Sequence, residues 1–217
     1  MCGRYTITKN KKKVEKTFNA TSDQEFIENY NIAPSNYLPT IINNSPKKIH
    51  LLKWGLIPSW SKDSSIGNRM INARIETIFE KPSFKQAIIK RRCCVIADGY
   101  YEWKGEKNNK QPYYIHLKDH SLYLFGGIWE TWKDQDQNII NSFSIITKKA
   151  GYKLSRIHHR EPVVIKKELK DDWLSTNNHK EINKIADAFD YNQFTFYAVS
   201  KSVNSVQNNH RELINSI

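Results

Sequence analysis

The chain has 217 residues, 39% hydrophobic and 12% aromatic, which suffices to bury a core without disulfide or metal staples and excludes a disordered chain. Lys and Arg number 34 against 22 Asp and Glu; the net charge of +12 favours polyanions, nucleic acid above all, though a Lys-, Asn- and Ile-rich composition also follows from AT-rich coding. Three cysteines cannot build a disulfide framework, no apolar run is long enough for a transmembrane helix, and MCGRYTITKNKKK lacks the apolar segment of a secretory signal.

In chain order, residues 4–8 alternate and predict a strand, and residues 12–18 and 23–29 predict two short helices. Residues 38–42 and 49–54 predict strands split by an Asn-Asn-Ser-Pro turn. Residues 60–71 are polar and irregular and predict an exposed loop. Residues 82–90 predict a helix with proline near its start. The centre is strand-rich, over 93–97, 100–104, 113–117, 122–129 and 142–147, with 105–110 as a solvated hairpin tip. Cys93 and Cys94 fall in one of these strands and are expected in the core. Residues 168–174 and 180–189 predict helices, the second with Ile182, Ile185, Ala186 and Phe189 on one face, and 194–199 predicts a last strand. Strands do not alternate regularly with helices and no linker divides the chain. A single α+β domain over residues 1–217 is therefore expected, not a doubly wound parallel sheet.

Several segments carry chemistry. A small residue after Met1 favours removal of that methionine, leaving Cys2 with its α-amine and thiol on adjacent carbons. With reference pKa values of about 7.7–8.0 and about 8.5, part of each group is nucleophilic near neutrality. Such an aminothiol condenses with an aldehyde, first as an imine and then, when the thiol adds, as a five-membered thiazolidine. The alternative is an ordinary cysteine at a frayed end. Glu102 sits among aromatics in DGYYEWK, where desolvation suits a carboxylate to proton transfer; the alternative is a solvent-facing residue paired with Lys104 or Lys107. His158, in IHHREP, is a candidate acid or base. Two adjacent histidines on a strand point to opposite faces, so at most one of His158 and His159 is expected in a pocket. Asn72 offers a donor and an acceptor, and Arg74 a phosphate-binding fork, unless they merely cap a turn and pair with Glu76. Trp54 reads as core, while Trp60, past a Pro-Ser turn, is either a base-stacking platform or a second core tryptophan. No CxxC occurs, and neither a metal site nor a cofactor is expected.

MCGRY at 1–5, YNIAPS at 30–35, WGLIPSW at 54–60, INARIET at 71–77, RRCCVIADGYYEWK at 91–104, FGGIWE at 125–130, IHHREPVVI at 157–165 and VSKSVN at 199–204 run in order over nearly the whole chain. Together they resemble the SRAP-domain family of abasic-site processing proteins. The resemblance implies strands curled into a barrel-like core with flanking helices and a basic groove. It implies a lyase-type enzyme that crosslinks to abasic sites in single-stranded DNA through a thiazolidine, with a thiol autopeptidase activity that removes the residue before the cysteine. Matched position by position, Cys2 is the nucleophile, Glu102 and His158 are active-site residues, and Asn72 positions the amine and the sugar. Arg4 and Arg74 match phosphate-binding arginines, Arg160 is retained from the family's pattern as a candidate DNA contact, and Trp60 is a candidate stacking surface for unstacked bases. The segment departs from the family's HDRMP-like pattern in carrying His159 and Glu161, which bears on local DNA affinity. The expected setting is a cytoplasmic, bacterial-type monomer, nucleoid-associated on DNA, with no membrane partner. Two other functions fit the same residues: an N-terminal-nucleophile thiol amidase, and a non-catalytic nucleic-acid-binding module.

Overall fold

The computed structural model describes residues 2–106 and 109–217. Its first half holds β1 (Tyr5–Ile7), α1 (Lys11–Phe18), β2 (Asn29–Ile32), β3 (Tyr37–Ile42), β4 (Ser45–Trp54), β5 (Asn72–Arg74), α2 (Ala87–Lys90), β6 (Arg92–Ala97) and β7 (Gly99–Lys104). There follow β8 (Gln111–Leu117), β9 (Tyr123–Lys133), β10 (Ile139–Lys149), α3 (Tyr152–Ser155), β11 (Arg160–Pro162) and β12 (Val164–Ile165). The chain ends with α4 (Lys170–Ser175), α5 (His179–Asp187) and β13 (Phe194–Ala198).

Five strands close a barrel. β4 pairs with β3, β3 with β6, β6 with β9 and β9 with β10, all antiparallel, and a parallel pairing of β10 with β4 joins the ends. Closure removes the exposed strand edges that an open sheet must protect. The barrel strands are rich in Ile, Leu and aromatics, and β6 is buried along its whole length, including Cys93 and Cys94. A second, antiparallel sheet runs β13-β8-β7-β1-β2. Tyr5 and Tyr100, paired across β1 and β7, face the barrel and meet Phe125 edge-on at 5.9 and 6.0 Å. The other face of this sheet carries Tyr101 and Tyr114 and is covered by Val199, Val203 and Leu213 of the last segment. The α+β expectation and the barrel-like core both hold.

Gly99 shows how tightly that outer face is packed. A Cβ there would lie 2.1 Å from the Tyr114 hydroxyl, and Tyr114 is itself buried with its hydroxyl 3.1 Å from Thr6 Oγ1. Gly99→Ala is expected to destabilise the fold by about 1–3 kcal/mol through overpacking. A lowered urea midpoint at unchanged slope is the signature to look for; an unshifted midpoint would show that Tyr114 moves freely.

Local expectations differ from the structure in three places. Residues 23–29 form no helix. Thr21 and Gln24 instead bond to the edge of β4, Gln24 Oε1 accepting from Leu51 N at 3.3 Å, while Ile27 is 81% exposed. Phe26 and Ile27 are adjacent, so a helix would have had no i, i+3 apolar stripe to bury. The helix expected over 82–90 shrinks to α2 at Ala87–Lys90, preceded by turns. The loop 60–71 includes a 3-10 turn at Ser64–Arg69, capped by the Asp63 side chain, which accepts from Ser65 N at 3.0 Å. The hairpin tip expected at 105–110 falls partly outside the described residues. Elsewhere asparagines set the boundaries as their cap chemistry dictates: Asn10 starts α1, Asn19 ends it in the left-handed region at φ 50°, and Asn178 starts α5. Ile182, Ile185 and Ala186 are buried as expected, with Phe189 packing just past the helix end.

Candidate active site

β10 is the spine of the site. β5 lies parallel to it, Asn72 opposite Ile145 and Arg74 opposite Thr147, and β11 lies antiparallel on the same stretch, Arg160 opposite Lys149. On the other side of the site, Tyr101 N donates to Arg4 O at 2.9 Å, continuing the β1–β7 ladder so that Gly3 comes opposite Glu102. Four distant stretches of chain thus deliver Cys2, Asn72, Glu102 and His158 to one place.

Cys2 is 1% exposed and is no frayed end. Asn72 Nδ2 donates to the Cys2 carbonyl at 2.8 Å, and Asn72 Oδ1 is buried with no donor among the described residues. Burial, and the Glu102 carboxylate beside it, push the Cys2 thiol well above the ordinary cysteine range, so it rests protonated at neutral pH.

Glu102 is 5% exposed, its Oε1 accepting from Trp103 N at 3.3 Å. Pairing with Lys104 is not seen, and Lys107 lies outside the described residues. Glu102 Oε2 stands 3.9 Å from His158 Nδ1. His158 is fixed from its backbone, His158 N donating to Leu154 O at 3.1 Å just past α3. His158 Nδ1 lies 3.0 Å from Arg160 N, 3.3 Å from Arg160 O and 3.9 Å from Glu102 Oε2, so the tautomer decides which of these it bonds. Burial lowers the His158 pKa, against the pull of Glu102, so the ring stays neutral below the pH at which a free histidine charges.

Only His158 reaches Glu102, as expected, although the strand geometry behind that expectation is absent: both histidines precede β11, and their rings lie 4.2 Å apart, tilted by 31°. His159 is exposed and lines an open groove of about 440 Å³ with Arg74, Glu76, Thr77, Lys149 and Arg160. The ion pair considered between Arg74 and Glu76 is not formed. Glu76 instead takes both forks of Arg160, at 2.6 and 2.9 Å, and accepts from Lys149 N at 3.1 Å. Partial burial works the other way, but the Arg160 bonds hold the Glu76 carboxyl below the usual range. Arg160 also donates to Thr147 O at 2.7 Å, so its fork is already occupied by protein. Arg74 is exposed and makes no ion pair among the described residues.

Arg4 points to the outer face of the second sheet. Its guanidinium donates to Asn31 Oδ1 at 2.7 Å and Val203 O at 2.9 Å and lies 6.0 Å from the Trp103 ring. Asn31 Nδ2 in turn donates to the Ser205 and Asn208 carbonyls at 2.9 and 2.7 Å. Arg4 therefore ties the start of β1 to the last segment, a role that no sequence signal announced because Asn31 and Val203 are remote along the chain. Trp60 is 60% exposed, as a stacking platform requires, on a loop anchored by Trp132 Nε1 donating to Ser61 O at 2.7 Å; Trp54 is core. Glu161 turns away from the groove: it is buried, its Oε2 accepts from Gly151 N at 3.1 Å, and burial raises its pKa. Among the described residues no three His, Cys, Asp or Glu side chains converge to hold a metal, and no helix is long and apolar enough to cross a membrane.

A family model described as SOS response associated peptidase (SRAP) matches residues 1–206. Abasic site processing protein YoqW of Bacillus subtilis is 39% identical to this chain over 223 residues, with 100% of both covered. Abasic site processing protein YedK of Escherichia coli is 32% identical, over 90% of this chain and 87% of its own. Among solved structures, an X-ray crystal structure of a protein from Bacteroides thetaiotaomicron is similar at a TM-score of 0.91 and 29% identity, covering 100% of both chains.

Proposed function

The chain belongs to the SRAP family, and from that premise we propose that it processes abasic sites in single-stranded DNA by trapping the sugar aldehyde on Cys2. What supports this reading is the convergence of Cys2, Asn72, Glu102 and His158 from four separate stretches of chain beside a groove carrying Arg74 and Lys149.

The chemistry proceeds in three proton-linked steps once Met1 has been hydrolysed away to free the Cys2 amine. Glu102 moves the proton that opens the closed sugar and exposes its aldehyde. The amine adds, water departs, and an imine links residue 2 to C1 of the sugar; Asn72, with its open Oδ1, holds the amine in place. The thiol then adds across the imine, its sulfur bonding to carbon and its proton passing to the imine nitrogen through a nearby base. Because burial keeps the thiol protonated, that base is required, and Glu102 is the carboxylate beside it. His158, beside Glu102, shuttles protons at ring closure or reversal. A mere binding module would have no use for a buried carboxylate and a half-buried imidazole gathered near Cys2.

The deciding experiment is a denaturing gel with an abasic single-stranded oligonucleotide, together with the intact mass of the protein. A heat- and SDS-stable shifted band formed by protein that starts at Cys2 is expected; only a salt-sensitive complex would refute covalent capture. In the groove, Arg74→Ala is expected to weaken single-strand binding and to reduce the slope of log affinity against log salt by about 0.7. Arg4→Ala acts instead through loss of its Asn31 and Val203 bonds, lowering stability more than the salt slope. An unchanged slope in Arg74→Ala would remove Arg74 from the phosphate contacts.

A further inference from the structure

Arg74, Lys149 and Arg160 line the groove beside the site, and Glu76 is the only carboxylate among its described lining residues. Both oxygens of that carboxylate are given to one partner. Oε1 accepts from Arg160 Nη1 at 2.6 Å and Oε2 from Arg160 Nη2 at 2.9 Å, while Oε1 also accepts from Lys149 N at 3.1 Å. The two side chains differ in depth. Glu76 is 45% exposed and Arg160 10%, so an anion entering the groove meets the carboxylate before the guanidinium. Arg160 Nη2 has a separate seat on β10, donating to Thr147 O at 2.7 Å and Thr147 Oγ1 at 3.1 Å, and Arg160 Nε has no acceptor among the described residues. The guanidinium is thus anchored to the protein independently of the anion that covers it.

We propose that Glu76 is a built-in counter-ion of the groove: a phosphate of the bound strand takes its place on Arg160, and the need for that exchange keeps the grip on undamaged strands weak. This rests on the single-stranded DNA reading above. The planar fork of arginine suits carboxylate and phosphate alike, so the same N–H groups can pass from one to the other while Thr147 keeps Arg160 in place. A chain of net charge +12 attracts any polyanion, damaged or not. A carboxylate in the groove opposes every strand equally, and only a strand that carries an aldehyde offsets this by forming a covalent bond. Glu76 therefore determines specificity without touching the lesion.

The test follows binding of a lesion-free single-stranded oligonucleotide by fluorescence anisotropy across a salt series. It compares the full-length parent with Glu76→Gln, Arg160→Gln and the double variant. Gln at position 76 keeps the side-chain length and an oxygen for Lys149 N, and removes the charge. Glu76→Gln is expected to bind roughly 3–10-fold more tightly and to steepen the slope of log affinity against log salt by about 0.7, one further phosphate neutralised. The gain should need the guanidinium, so adding Glu76→Gln to Arg160→Gln should change affinity by less than about twofold. On the crosslinking gel, lesion-free competitor should suppress Glu76→Gln at a correspondingly lower concentration than it suppresses the parent. Unchanged or weaker binding by Glu76→Gln would make the ion pair a structural strut and overturn the proposal, as would a gain that persists without Arg160. A parent protein that binds no strand, abasic or lesion-free, overturns the DNA reading itself.

Discussion

Cys2→Ala is expected to abolish the heat-stable adduct and to leave strand cleavage in its place. The amine survives in the variant, and so does its placement, because Asn72 holds residue 2 through the backbone carbonyl rather than the sulfur. An imine can therefore still form on the sugar. It then acidifies the neighbouring C2 hydrogens, and with no thiol to consume the imine, loss of the 3′ phosphate by β-elimination follows. Removing one buried sulfur leaves a methyl-sized void costing about 1 kcal/mol, too little to unfold the domain. A time course on one denaturing gel, resolving crosslinked, free and cleaved strands, makes the measurement. A stable crosslink forming at the parent rate in Cys2→Ala would sink the thiazolidine mechanism.

Glu102→Gln carries the next largest effect, a slowing of crosslinking by about 10²–10⁴-fold, the range for loss of general acid–base help. The substitution is close to isosteric, and its amide oxygen can still accept from Trp103 N, so β7 keeps its local bonds. What disappears is the proton carrier at ring opening and at thiol addition alike. The second step feels the loss because the thiol is protonated at rest and has no other carboxylate beside it among the groups that shift its acidity. Binding of intact abasic DNA should change little, since Glu102 is buried behind the groove rather than part of its charged wall. A Gln variant within twofold of the parent single-turnover rate would remove Glu102 from the proton transfers.

Much of this was legible in the sequence because its signals are local. The Asn-Asn turn between β3 and β4, the alternation in the central strands and the one-sided helix α5 each express a period or a turn chemistry confined to a few residues. The short apolar pair Phe26–Ile27 misled because composition alone resembled a helix, while the Thr21 backbone and the Gln24 side chain tie this stretch to β4. At the site, residue types announced the chemistry of Cys2, Glu102, Asn72 and His158, but not who pairs with whom. That Glu76 would choose Arg160 over Arg74 depends on β5 and β11 flanking the same stretch of β10, a fact of topology with no trace in local spacing. The approach of the His158 and His159 rings likewise depends on β11 starting only at Arg160, after both of them.

Barrel closure sets when Cys2 can take up its buried position. The last joint in the ring is the short parallel pairing of Lys53 and Trp54 with Ser142 and Phe143, a contact between segments far apart in the chain. Such pairings pay loop-closure entropy before they return any energy, and domains dominated by them fold on the order of milliseconds to seconds. Until β10 is seated, neither β5 nor β11 has a place to dock, and Asn72 cannot hold the Cys2 carbonyl. Throughout that interval the thiol is open to solvent with an ordinary acidity near 8.5, ready for any oxidant or small metabolic aldehyde. Folding thus withdraws the Cys2 thiol from solvent in the same event that brings Asn72 to its carbonyl.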